Sequence, residues 1–153
     1  MNTTAQLAKH IKEVYFGGNW TASNLKNQLS DISWEKAVTK SENLNTIAVL
    51  AYHINYYAKA IIGVLKGQPL EAKDKYSFDL PPLNSEQDWL QMVQDILQDG
   101  QELSNLVAKL PDDLLSEDFT DAKYGSYHRN LLGFIEHTHY HLGQIALLKK
   151  IIR

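Results

Sequence analysis

A chain of 153 residues is long enough for one domain with a proper core and too short for two comfortable ones. With 44% hydrophobic and 22% charged residues it has the composition of an ordinary soluble globular protein, and a formal net charge of -3 offers no basic footprint for nucleic acid. The absence of cysteine excludes disulfides, thiolate nucleophiles and Cys-based metal sites.

The N-terminal stretch "MNTTAQLAKHIKEVYFGG" mixes polar and charged residues with apolar ones, so it has no signal-peptide core. No apolar run approaches the ~20 residues that cross a bilayer. A cytoplasmic protein is expected, with neither membrane nor nucleic acid as partner. Leu7, Ile11, Val14 and Tyr15 repeat at helical spacing after Thr3 or Thr4 as N-cap, and Gly17-Gly18-Asn19 stops the helix. "TASNLKNQLS" restarts one, with Leu25 and Leu29 on a common face. "DISWEKAV" reads as a short turn capped by Asp31 or Ser33, with Trp34 tucked inward.

A long helix is expected from about Asn43 to Lys66, with Leu44, Ile47, Leu50, Ile54, Tyr57, Ile61 and Leu65 on one stripe, ended by Gly67 and Pro69. The stretch from Gln68 to Asn84 carries little periodicity and is longer than a tight helix-helix connection. Ser85, followed three residues later by Asp88, opens a helix that runs through Trp89, Met92, Val93, Ile96, Leu103, Leu106 and Val107 to Pro111. Gly100 inside it costs up to ~1 kcal/mol relative to alanine. After a second irregular stretch, a last helix is expected from His128 or Arg129 to Ile152. Four long amphipathic helices in one domain spanning residues 1–153 imply an all-α four-helix bundle. The long connection between the second and third of them permits a crossover and an up-down-down-up order.

The last helix contains "IEHTHYHLGQI", with histidines at 137, 139 and 141. That alternation would suit a strand. Leu131, Ile135, Leu142, Ile145, Leu148 and Ile152 nevertheless keep helical spacing, so the segment is helix. On a helix His137 and His141 share a side, one turn apart, and His139 points away. Two imidazoles at this spacing reach one cation, the reason the pattern recurs in zinc enzymes. The bland alternative is a pair of hydrogen-bonded histidines at a core boundary.

A divalent ion needs a third ligand, and His53, at the edge of the inward stripe in "VLAYHINYYAKAI", is the best candidate. His10 is expected to meet solvent, and His128 stands over two turns before His137. No His-Glu-x-x-His, no paired Glu-x-x-His and no Gly-x-Ser-x-Gly occurs, which argues against a metalloprotease, a di-iron bundle and a serine hydrolase.

"LAYHINYYAKAIIGVLKGQP" together with "LLGFIEHTHYHLGQIALLKKII" resembles the DinB-like superfamily of four-helix bundles, which includes the YfiT-type metal-dependent hydrolases. "YFGGNWTASNLKNQLSDISWEKAV" is similar to the interrupted first helix of one branch. The most specific element is the ending His-x-x-x-His-x-Gly-Gln, here His137, His141, Gly143 and Gln144. The resemblance implies an up-down-down-up bundle, often a homodimer. It also implies a divalent metal, zinc or nickel, bound by His53, His137 and His141.

Two functions compete, with a metal-free bundle as a third alternative. In the first, three neutral imidazoles leave a coordination position open, and the site holds an activated water or thiol. That is a metal-dependent hydrolase or a transferase acting with a low-molecular-weight thiol on a small-molecule substrate. Tyr52, Tyr56, Tyr57 and Tyr140 would wall its pocket, with plain packing as the alternative, while Glu136 and Gln144 flank the histidines. In the second, a non-catalytic, stress-associated interaction protein uses the metal to tie two helices and works through a dimer face.

Overall fold

The computed structural model describes residues 1–152 of the chain. The described residues form six α-helices and three short 3-10 turns without a strand: α1 (Thr3–Phe16), α2 (Leu25–Leu29), α3 (Trp34–Val38), α4 (Ile47–Leu65), α5 (Glu86–Val107) and α6 (Tyr127–Ile151).

Each helix starts where a short polar side chain can take an unpaired backbone N–H. Asn2, rather than Thr3 or Thr4, caps α1 by accepting from Ala5 N. The two threonines are engaged by a remote partner. Their backbone N–H groups and the Thr4 hydroxyl all donate to the Asp112 carboxylate at 2.9 Å. These bonds hold the Asp112 carboxyl below the ordinary carboxylate range, and they place a negative charge at the positive end of the α1 dipole.

Asn24, Ser33 and Ser126 cap α2, α3 and α6. Ser85 caps α5 as its spacing to Asp88 predicts, and Asp88 reaches back to Asn84 N at 2.8 Å. Thr46 caps α4, which therefore begins at Ile47 instead of near Asn43. Leu44 falls outside the stripe and is exposed.

Of the long helices, α1 packs on α5 and α6, and α4 packs on the same two. The α1–α5 seam is close. Gly100 is buried there, and a Cβ at that position would stand 2.1 Å from Tyr15 Cδ1. The residue that weakens α5 as a helix former is the one that lets the Tyr15 ring pass. Ser104 Oγ donates to the Ala8 carbonyl one turn on. Between α4 and α5, Asn55 Nδ2 donates to Asp99 Oδ2 at 2.8 Å, and Lys66 pairs with Glu102. Two tryptophans bury their rings by finding carbonyls, Trp89 Nε1 on Ile32 O and Trp34 Nε1 on Leu83 O.

Helix α4 corrects one expectation. Its 19 residues, with a mean hydropathy of 1.2, are long and apolar enough to cross a membrane by length and composition. The cause lies in its packing: α3, α5 and α6 all lie against it, and 61% of its most apolar window is buried inside the protein. A helix covered on several sides reads as apolar nearly all round.

Candidate metal centre

Helix α4 delivers His53 to its α6-facing side, between the buried residues Ala51 and Ile54, and α6 delivers His137 and His141 one turn apart. One ligand nitrogen from each of the three lies within 4.8 Å of the others, so the trio is close enough to hold one metal ion. His53 and His141 are buried and His137 is half-buried.

The bonds of the outer ring nitrogens determine which nitrogens face inward. His53 Nδ1 lies 3.2 Å from the Ser77 carbonyl oxygen. A carbonyl can only accept, so this nitrogen carries the proton and Nε2 keeps its lone pair. His141 Nδ1 lies 2.7 Å from Gln144 Oε1 in the assigned amide orientation, with the same consequence. His137 Nε2 stands 2.9 Å from His53 Nε2, and His137 Nδ1 is buried with no partner. Without a cation, His137 must hand its only proton to His53 and leave a bare buried lone pair on Nδ1. With a cation between them, both Nε2 lone pairs are used and the His137 proton moves to Nδ1, which is without a partner in either state. Zinc–nitrogen bonds of about 2.0–2.1 Å at a tetrahedral angle hold two nitrogens roughly 3.3 Å apart, a few tenths of an ångström wider than this pair.

Aromatic rings surround the trio. Phe78 stacks on His53 with centroids 3.8 Å apart and planes at 8°. Tyr57 stands edge-on to His53 and His137 at 5.2 and 4.9 Å, and Tyr140 edge-on to His141 at 5.0 Å. Removal from water and the neighbouring imidazoles both penalise an added proton. His137 is pushed down to about 4, first by burial and then by His141 and His53. His53 is lowered chiefly by burial, against the pull of the Ser77 carbonyl. Imidazoles held neutral in this way are the form a metal requires.

The remaining candidates separate. His139 lies off the cluster; burial and the nearby His10 on α1 both lower its proton affinity. His10 and His128 are exposed. Of the four tyrosines expected to wall the site, Tyr57 and Tyr140 do so. Tyr52 and Tyr56 instead line a separate cavity of about 720 Å³ beside α5, and Tyr56 braces the following loop through both the N–H and the carbonyl of Lys73. Gln144 orients His141, whereas Glu136 is exposed and lines a cavity of about 1040 Å³ that opens beside His137.

Sequence reasoning missed Asp74, Ser77 and Phe78. All three lie in the irregular stretch after α4, where the 3-10 turn Asp74–Tyr76 aims the Ser77 carbonyl at His53 and Asp74 accepts from the Tyr57 hydroxyl at 2.9 Å. A backbone carbonyl leaves no side-chain signature; the one hint is an aromatic residue within a polar, proline-bounded loop. Comparison of the chain with protein-family models, with curated proteins and with solved structures gives no match.

Proposed function

We propose that the chain is a DinB-like, divalent-metal-binding protein of the up-down-down-up four-helix type. On this reading His53, His137 and His141 are the ligands, zinc or nickel is the metal, and the activity is that of a hydrolase or thiol-dependent transferase. The observation that carries it is the fixing of two Nδ1 protons, on His53 by Ser77 and on His141 by Gln144, which turns the Nε2 lone pairs of both rings toward a shared point with His137. Three imidazoles suit zinc and nickel better than calcium or magnesium, which prefer oxygen.

The helix order is supported by the pairs along each seam. Ala8 with Ser104 and Tyr15 with Gly100 run in opposite senses along α1 and α5, while Asn55 with Asp99 and Lys66 with Glu102 ascend together along α4 and α5. His53 and Tyr57 both meet His137, and His53 also meets His141, as in an antiparallel pair.

A three-nitrogen site leaves a coordination position open, and a divalent ion there acidifies a bound water or thiol. The protein's own groups supply the rest. Phe78 and Tyr57 exclude bulk water from the His53 side, and the cavity beside His137 gives a small molecule access. A homodimer through α6 fits the exposed apolar residues Tyr140, Leu147 and Ile151 on that helix. Elemental analysis of the purified protein and of the His53→Ala, His137→Ala and His141→Ala variants tests the assignment. About one divalent ion per chain is expected, falling to a small fraction in each variant. Full occupancy of His137→Ala refutes it.

A further inference from the structure

The cavity beside His137 has a different chemistry two turns back along α6, at Arg129. Lys123 and Lys73 are also on its lining, together with the carboxylates of Asp74 and Glu136, in a chain whose formal net charge is -3. Asp74 is engaged by the Tyr57 hydroxyl, and Lys123 lies 3.7 Å from Asp121 in a solvent-exposed pair of little net energy. Among the described residues no carboxylate lies within 4.0 Å of the Lys73 ammonium or the Arg129 guanidinium.

The turn before α6 lies against Arg129. Gly125 has φ 76°, a backbone conformation that favours glycine, and the Arg129 stem runs beside it, its Cδ 2.7 Å from where a Cβ would stand. Asn130 pins the same turn by donating to the Tyr124 and Ser126 carbonyls. Between this cationic end and His137 the walls are apolar, with Ile61, Leu70, Phe119 and Phe134. A cavity of about 1040 Å³ is ample for a small organic molecule.

We infer that this cavity binds a small organic anion, a carboxylate or phosphate ester with an apolar body. Arg129, with Lys123, holds the charged group, the apolar walls cover the body, and the cavity reaches His137 two turns further along α6. A guanidinium pairs with either anion through two parallel N–H donors, which fixes orientation as well as charge. The inference names a substrate class for the proposed metal centre and rests on that reading only for the chemistry at the His137 end.

The test is titration calorimetry on the full chain with octanoate, octyl phosphate, octanamide and inorganic phosphate. Octanoate or octyl phosphate is expected to bind, and the tighter of the two identifies the head group. Added salt should weaken the binding. Arg129→Gln should weaken it by about tenfold, the effect of losing one charge-assisted hydrogen bond, with helical circular dichroism unchanged.

Octanamide binding as tightly as octanoate overturns the anion site, and so does an Arg129→Gln variant with wild-type affinity. Inorganic phosphate binding as tightly as octyl phosphate overturns the apolar body. The His137→Ala variant separates this inference from the metal assignment. Retained octanoate binding with loss of metal supports both. If that variant abolishes octanoate binding while Arg129→Gln does not, the carboxylate is held at the histidines, and the anion site fails while the metal site stands.

Discussion

Replacing Gln144 by leucine removes a single acceptor from the candidate metal centre and leaves all three histidines in place. Gln144 Oε1 lies 2.7 Å from His141 Nδ1, which has no other partner among the described residues, and the side chain is half-buried in the last third of α6. With the acceptor gone, His141 loses what fixes its proton on Nδ1 and its ring plane toward His53 and His137. Partners of this kind are worth roughly 10- to 100-fold in metal affinity, or about 1.4–2.8 kcal/mol. Leucine preserves size and helix propensity, so the melting temperature of the metal-free protein should barely move. Gln144→Glu keeps an acceptor and adds charge, so its affinity should equal or exceed that of the wild type. Competition for zinc against a chromogenic chelator at neutral pH reads all three proteins. A leucine variant within twofold of wild type would refute the argument that hydrogen bonds to Nδ1 set the ligand geometry.

His139→Ala should keep its full metal content by elemental analysis, since His139 lies on the other side of α6 near His10; loss comparable to that of His141→Ala would overturn the facing argument. In metal-free protein, His137 titrates near 4 when folded and near 6.5 when unfolded, so it favours the native state above pH 6.5 and that contribution is lost as pH falls toward about 4. Discounted for partial exposure the loss is about 1–3 kcal/mol, and thermal melts at pH 7.5 and 4.5 should show a smaller difference in His137→Gln than in wild type. Metal binding should likewise persist somewhat below pH 6.5, because His53 and His137 both resist protonation; affinity that already falls steeply between pH 7.5 and 6.5 would refute it. Gly100→Ala should destabilise the fold by about 1–3 kcal/mol despite its better helix propensity, because Tyr15 is fully buried and cannot step aside. An increase in melting temperature would show that the seam relaxes freely.

The parts of the molecule governed by short-range rules were legible in the sequence. The pair His137 and His141 follows from helical spacing, and Ser85 with Asp88 marked the start of α5 because capping is a local bond. What the sequence concealed depended on distant partners. Thr3 and Thr4 looked like caps, but their groups face Asp112, over a hundred residues away. Tyr52 and Tyr56 share a helix with His53 and lie closer to it in sequence than Tyr57 does, yet they face a different cavity. Gly100 read as a defect until Tyr15 was placed against it. The groups that orient His53 come from a loop whose path periodicity does not encode, and the decisive one is a main-chain carbonyl.

Chelation should weaken the protein without unfolding it. The helices carry their own core: Ile11, Tyr15, Ile54, Trp89, Ile96, Leu103, Leu131 and Ile145 are all essentially inaccessible to water. Small zinc domains melt without metal because they lack such a core. Here the metal-free site is a local liability, with two Nε2 atoms 2.9 Å apart sharing at most one proton. A ligand that binds only the native state, present at 100 times its Kd, adds about 2.7 kcal/mol. For a chain of this length that corresponds to a fall of roughly 5–11 °C in melting temperature on chelation, with helical circular dichroism retained at room temperature. If the fold tolerates loss of the ion, three close-set imidazoles are better explained by what the site binds than by what holds the helices together. Loss of the helices on chelation at room temperature would make the metal structural and remove the main support for a chemical role.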